Sequence, residues 1–224
     1  MSSSQRRPID SKVAIFTALL MILVSGCQDC QSRQTTNPAH LKQLLTTKQC
    51  RECNLGDANL RQADLAKANL REALLIKANL DGANLAEADL SQAQLSWDDF
   101  DTGWGNFFSC DVLLEASLVK ANLTNANLSK AMLDRVNLEQ ANLRHADLSK
   151  ASLSKTNLDG ANLEAANLNG ANLVGTNLRE ANLEGANLTH ADLTVADLNE
   201  ANLEEANLTY AVLNTYLSNA NLRS

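Results

Sequence analysis

Two cysteines three residues apart, Cys50 and Cys53, are the residues whose type and spacing could most readily do chemistry. A Cys-x-x-Cys pair can form a local disulfide, act as a redox site, or supply half of a tetrahedral metal site. No second cysteine pair accompanies it, and the three histidines, His40, His145 and His190, are scattered and expected in solvent. The pair therefore favours a structural disulfide or buried thiols, with the redox and metal interpretations left open, and we expect no cofactor.

A third cysteine, Cys27, ends a segment that is typical of export. Basic residues precede an apolar run, 13–24, that is broken only by a threonine. Such a run is too short to span a membrane and suits a signal peptide. It leads into Val24-Ser25-Gly26-Cys27, which resembles a bacterial lipoprotein signal with valine in the place where leucine is favoured. The resemblance implies a signal peptide over 1–26 and a lipidated Cys27, while plain secretion and an uncleaved anchor stay open. We expect a bacterial lipoprotein, exported and membrane-anchored, that faces the periplasm or the cell exterior.

A short connecting region follows this leader. Residues 27–37 are polar and predict a flexible tether. Asn37 followed by Pro38 is typical of a helix N-cap and first helical position, and three leucines then share one face of a helix ending near Thr47. We therefore predict an N-terminal cap over 38–53, with continued tether as the alternative for the helix.

Leucine recurs at every fifth residue over most of the chain, usually in the triplet Ala-(Asn/Asp)-Leu, which occurs 20 times. A period of five fits neither a helix nor a strand, so it predicts a repeat architecture whose successive turns share a core. The leucine, here called position i, and the small residue at i−2 must face inward, whereas positions i−1, i+1 and i+2 are polar and suit solvent. Three exceptions at i−2, Val136, Thr156 and Thr176, recur at a constant interval of four pentads, which predicts four sides per coil.

These repeats, over residues 54–222, resemble the pentapeptide-repeat family, whose motif is Ala-(Asp/Asn)-Leu-x-x. The resemblance implies an all-β fold, a right-handed quadrilateral β-helix with positions i and i−2 inside. About 32 pentads would give about eight coils, and a spacing of about 4.8 Å per coil would give a rod roughly 40 Å long.

The repeat is disturbed at two places. At 96–110 its phase shifts by three residues, and five of the chain's eight aromatic residues lie there: Trp97, Phe100, Trp104, Phe107 and Phe108. Aromatic residues often anchor protein interfaces, so this set is a candidate interface. The alternative is that Phe100 and Phe108, at position i, fill the core while the others plug the gap. The loss of one residue after Leu213, close to Tyr210 and Tyr216, predicts a C-terminal cap.

Charge is distributed unevenly along the repeats. From Asn54 onward 23 acidic residues face 12 basic ones, a net charge of −11, yet residues 117–155 hold six basic residues and three acidic ones. Stacking of four pentads per coil aligns Lys130 with Lys150. It also predicts two acidic columns, one at i+1 and one at i+2: Glu164, Glu184 and Glu204, and Glu180 and Glu200. The simplest interpretation of the columns is protection against aggregation.

No phosphate-binding loop, histidine cluster or serine motif interrupts the repeat, so the sequence favours a non-enzymatic protein. We expect a structural scaffold that contacts an unknown protein partner. Some members of the family mimic duplex DNA and protect or inhibit a type II topoisomerase, and the acidic columns echo that chemistry. The export signal and the basic stretch disfavour this alternative, and the net negative charge makes direct nucleic-acid binding unfavourable.

Overall fold

A computed structural model of the protein describes residues 35–96 and 115–223, which belong to one compact unit. A single helix within these residues, α1, spans Pro38–Thr47. The Asn37 side chain caps it by accepting hydrogen bonds from the Ala39 and His40 N–H groups. Leu44 is fully buried and belongs to the core that the repeats form. The helix is thus attached to the repeats through its apolar face.

His40 was expected in solvent, and that expectation was wrong. Its Nδ1 atom accepts a hydrogen bond of 2.9 Å from the Asn54 N–H, which ties α1 to the first repeat. Its carbonyl oxygen lies 3.2 Å from the Cys50 Sγ atom. Cys50 and Cys53 form a disulfide, and both side chains are buried. Of the three interpretations of this pair, the structure contains the disulfide.

Four ladders of parallel bridges carry the repeats. Each rung is a single residue at position i−1, and it normally pairs with the equivalent residue of the next coil, as Asp147 does with Asn167. Ladders 1 to 4 begin at Gln49, Asn54, Asn59 and Asp64, and each contains eight rungs within the described residues. The side of the coil that carries ladder 1 is called side 1, and the turn that follows ladder 1 is called corner 1. Sides and corners 2 to 4 are named in the same way, and coils are counted from Gln49. Because the ladders alternate in the order 1, 2, 3, 4, side 1 lies opposite side 3, and side 2 lies opposite side 4.

The asparagine of each triplet does more than face solvent. In coil 6, the Asn167 Oδ1 atom accepts a hydrogen bond from the Asn169 N–H, which holds the turn that follows. The Asn187 amide, one coil further on, donates to the Asn167 Oδ1 atom over 3.2 Å. Position i−1 therefore selects Asn or Asp because a short side-chain acceptor can stabilise a turn locally. Position i−1 was expected in solvent, whereas most of its side chains are half-buried.

Positions i and i−2 form the core, as predicted from the period. Leu128, Leu148, Leu168 and Leu188 stack in four successive coils and are at most 1% exposed. The two buried threonines at i−2 keep their hydroxyl groups satisfied inside this core. The Thr156 and Thr176 hydroxyls donate to the carbonyl oxygens of Leu133 and Leu153, over 2.6 and 2.7 Å. A polar residue is tolerated there because its hydroxyl has a partner.

The regular corners bend through a residue with positive φ at position i+2. Five of these residues are glycines, but most are larger, and Val195 has φ 51°. The left-handed conformation costs an L-residue about 1 kcal/mol or more, and a β-branched side chain is an outlier there. Val195 is also 50% exposed, so it contributes little burial in return.

We expect Val195→Gly to stabilise the protein by about 1 kcal/mol, because glycine adopts positive φ without steric cost. Chemical denaturation of the parent and the variant measures the difference. Gly175, one coil earlier in the same column, is the matched control. A Cβ atom there would have ordinary contact, 3.5 Å from the Lys155 Cγ atom, so Gly175→Ala should destabilise through the backbone alone. Equal stability of all three proteins would contradict the strain at corner 2.

The interruption of the repeat is longer than the sequence indicated. Asn84 and Asn122, which pair across it, are 38 positions apart, whereas Asp147 and Asn167 in uninterrupted coils are 20 apart. The Ala116 N–H donates to the Leu95 carbonyl over 3.0 Å, the same bond that closes an ordinary corner. Coil 3 is therefore complete without the intervening segment. The insertion lies at corner 2. Its length is that of residues 97–114, and subtracting three full pentads from this length leaves the phase shift of three residues.

Candidate interaction faces

Side 4 is acidic in the C-terminal half of the repeats. Its ladder carries Asn162, Asn182 and Asn202, and a column of carboxylates lies along each edge. Glu164, Glu184 and Glu204 follow this ladder at corner 4, while Glu180 and Glu200 lie at corner 3. The structure thus brings both predicted columns to the borders of one side. The arrangement can attract a cationic surface, since like charges along an edge add their fields.

The stacked carboxylates at corner 4 are partly satisfied by neighbours. Arg144, one coil earlier, contacts the Glu164 carboxylate at 2.8 Å. The Asn202 and Asn221 amides donate to the carboxylates of Glu184 and Glu204, over 3.4 and 3.2 Å. Amide donors from the next coil offset part of the repulsion along the column. Arg144 bounds the acidic field at corner 4, and Arg179 lies 3.9 Å from the Glu200 carboxylate at corner 3, so the field is partly neutralised at both edges.

Side 2, opposite the acidic side, is basic in coils 4 and 5. Lys130 and Lys150 lie at corner 1, and Arg135 and Lys155 lie at corner 2, so the four cations border one side. The alignment of the two lysines was predicted from the sequence, but the placement of all four around one side was missed. The sequence contains enough information for this placement. Once the coil has four sides, counting the pentads in fours assigns each residue to a corner.

Two groups of predicted site residues lie outside the described residues. The candidate interface Trp97, Phe100, Trp104, Phe107 and Phe108 falls in the inserted segment, and Cys27 falls in the leader. The four rungs of coil 3 are Asp89, Gln94, Ser117 and Asn122. Both interpretations of the aromatic residues, an interface or core filling, stay predictions.

The C-terminal end is open, contrary to the predicted cap. The last coil is one residue short, as expected, because Asp197 pairs with Tyr216. Yet Tyr210 and Tyr216 point outward and are 77% and 62% exposed. A concavity of about 240 Å³ lies at this end. It is lined by Leu198, Leu203, Ala206, Leu208, Leu213, Leu217, Leu222 and Arg223. The tyrosines fail to cover it because they occupy positions i+2 and i−1, which face away from the core.

The described ionisable groups are mostly at the surface. Within residues 35–96 and 115–223, no cluster of three His, Cys, Asp or Glu side chains could hold a metal ion. The hydrogen bond from Lys48, followed by the bond from the Ala66 N–H, lowers the pKa of the Asp64 carboxyl below its ordinary value of 3.8. This contact joins the C-cap of α1 to ladder 4.

In the part of the chain that the structure describes, no helix has the length and apolar character needed to cross a membrane.

Known proteins place this architecture in one family. The pentapeptide-repeat profile matches eight copies, at residues 53–92, 121–160, 156–194 and 186–223. HetL from the cyanobacterium Nostoc sp. strain PCC 7120, a pentapeptide-repeat protein involved in heterocyst differentiation regulation, is 28% identical. The match covers 84% of this chain and 94% of HetL, with a TM-score of 0.50.

Two further solved structures show lower structural similarity. Rfr23 from the cyanobacterium Cyanothece 51142 is 30% identical over 80% of this chain and 97% of its own, with a TM-score of 0.23. QnrB1, a plasmid-mediated fluoroquinolone resistance protein, is 13% identical over 74% of this chain and 82% of its own, with a TM-score of 0.40. No curated protein matches the chain. The four bridge ladders, the buried leucine and alanine positions and the matched repeats together show that the chain belongs to the pentapeptide-repeat family.

Proposed function

We propose that the protein is a non-enzymatic scaffold that is exported, is anchored to a membrane through a lipidated Cys27, and acts through protein contacts. The observation that carries this proposal is the chemical difference between the sides of one repeat rod. Side 4 offers carboxylates and asparagine amides, whereas side 2 offers cations. A stack of flat ladders suits broad surface contact, as in other solenoid proteins.

Two features support export. The leader carries a signal-like apolar run that ends close to Cys27. The first coil contains the Cys50–Cys53 disulfide, and disulfides persist in oxidising compartments outside the cytosol. A regulatory role is also in keeping with HetL, which is described as involved in heterocyst differentiation regulation.

A DNA-mimic inhibitor or protector of a type II topoisomerase is the second candidate, and the acidic side 4 favours it. Duplex DNA presents negative charge on all sides, whereas this rod carries four cations on the side opposite its carboxylates. Export would also separate the protein from the chromosome. The scaffold is therefore preferred.

Cell fractionation tests the proposal directly. The full chain expressed in bacteria should appear in the membrane fraction, with a mass shift on an N-terminal Cys27. The variant Cys27→Ser should show neither the membrane association nor the mass shift. A cytosolic chain with Met1 intact would contradict the scaffold and favour the topoisomerase candidate.

Photocrosslinking tests the protein contact. A photocrosslinking residue at Glu184, on the acidic border of side 4, should capture a protein partner. The same residue at Val174 should not, because Val174 holds the equivalent pentad position of the same coil at the diagonally opposite corner. Equal capture at the two positions would contradict a partner that is selected by the acidic side.

A further inference from the structure

Side 2 differs in composition from the other sides of the rod. All eight rungs of ladder 4 are Asn or Asp. Ladder 2 includes Leu74, Met132, Ser152 and Val212 in the same role, so much of its asparagine stack is missing. Side 2 is therefore less polar than side 4, and it has fewer amide groups available to a partner that reads hydrogen bonds.

The four cations that border side 2 are free within the described residues. Lys130, Arg135, Lys150 and Lys155 are all exposed, and none contacts a carboxylate there, although six other basic side chains do. The acidic residue among them, Asp134, is engaged instead. Its Oδ1 atom accepts hydrogen bonds from the Ser152 hydroxyl and the Ser154 N–H, over 2.7 and 2.8 Å. With Asp134 counted, the four cations leave the patch a formal net charge of +3.

Apolar side chains continue the same side toward the C-terminal end. Val174 is half-buried at corner 2, and Val195 and Val212 are 50% and 51% exposed in the next two coils. Side 2 thus combines a basic area in coils 4 and 5 with three valines in coils 6 to 8, where Asn172 and Asp192 are the other two rungs of ladder 2. Cations beside exposed aliphatic groups are the surface chemistry that suits a lipid headgroup region.

We propose that side 2 lies against an anionic phospholipid surface. The cations would contact headgroup phosphates, the valines would touch the apolar boundary beneath, and the opposite side 4 would be repelled toward solvent. A membrane suits this side because four unpaired cations and the valines share it with Tyr210, which is 77% exposed at corner 1 of coil 8, and an exposed tyrosine ring suits the headgroup level. The inference goes beyond the proposed protein contacts, and it holds whether or not Cys27 carries lipid.

Lysine acylation with mass spectrometry tests this on the full chain. The protein is bound to vesicles of phosphatidylcholine alone or of phosphatidylcholine with phosphatidylglycerol. Acylation of Lys130, Lys150 and Lys155 should slow on the anionic vesicles only, and salt should restore it. Lys120, at corner 3 and exposed, is the internal control and should react equally on both. The apolar leader could insert into both types of vesicle, so a difference in acylation between the two types does not come from its insertion.

A double variant gives the magnitude. Arg135→Glu with Lys155→Glu leaves Lys130 and Lys150 as reporters. Each cation near an anionic surface is worth roughly a factor of five in affinity. The anionic vesicle concentration needed for half protection should therefore rise by roughly 25-fold or more. Lys120→Glu should leave it unchanged.

Three results would overturn the proposal. The first is equal acylation of the side 2 lysines on neutral and anionic vesicles. The second is the same protection by duplex DNA without lipid, which would indicate a general polyanion site. The third concerns the inserted segment 97–114, which begins at corner 2 and has a net charge of −4. If replacing it exposed these lysines in the absence of vesicles, the segment itself would be the occupant of side 2.

Discussion

Leu168→Ala should lower the free energy of unfolding by about 2 to 5 kcal/mol, the range for leucines truncated in a well-packed core. Leu168 is 0% exposed and lies in coil 6, with Leu148 and Leu188 stacked on either side of it. The backbone ladders hold both neighbours in place, since the Leu168 N–H donates to the Asn187 carbonyl over 2.8 Å. The coil cannot collapse onto the space that the side chain leaves. Urea denaturation followed by circular dichroism measures the loss.

Leu208→Ala is the matched control for this prediction. Leu208 follows the same ladder two coils later, but it lies at the open C-terminal end and is only partly buried. Its truncation removes the same atoms without leaving an enclosed cavity, so it should cost markedly less than Leu168→Ala. Equal losses at the two positions would mean that the end of the rod is covered in solution.

Replacing residues 96–115 by Ser-Gly should leave all eight coils intact. The reason is the bond between the Ala116 N–H and the Leu95 carbonyl, which already closes coil 3 as a two-residue corner does. Glycine at the second position supplies the positive φ that the corner needs. The replacement should also stabilise the protein by about 2 kcal/mol at most, because a loop shortened about tenfold loses less entropy on closure. Calorimetry of the parent and the shortened protein measures the change.

The control for this replacement is a deletion from a regular region. Deleting 159–176, a segment as long as 97–114, leaves the following leucines out of phase with the ladders. That protein should lose cooperative unfolding. If the Ser-Gly replacement were equally damaging, the inserted segment would be part of the core and the closure of coil 3 would not suffice.

The regular part of the fold could be predicted because each coil repeats one requirement. Leucine at i and a small residue at i−2 recur through the regular coils, and Val136, Thr156 and Thr176 revealed the number of sides. The length of the insertion could not be predicted this way. Phase reports a length only modulo five, so an insertion of 18 residues, the difference between spacings of 38 and 20, shifts the repeat as an insertion of three would.

The exposure of the C-terminal end and the contact of His40 could not be predicted from the sequence. Tyr210 and Tyr216 supply bulk, but whether bulk covers an end depends on direction, and their positions in the pentad face outward. The contact of His40 could not be predicted, because a single imidazole that accepts a hydrogen bond from one backbone N–H produces no periodic pattern in the sequence. The four cations of side 2 could have been grouped from the sequence, since only the register of four pentads per coil is needed to assign them to corners.

The ladders also determine how the protein should open. Because a rung normally bonds only to the rungs of the coil before and the coil after it, no ladder contact ties coil 1 directly to coil 8. A break in the middle then has to disrupt two coil interfaces, whereas loss of an end coil disrupts one. Amide hydrogen exchange should consequently be slowest in the central coils and faster toward the open end near Leu208 and Leu222. The exchange rate of each amide would report its distance from the nearest end, with α1 and the Cys50–Cys53 disulfide slowing the process on one side only.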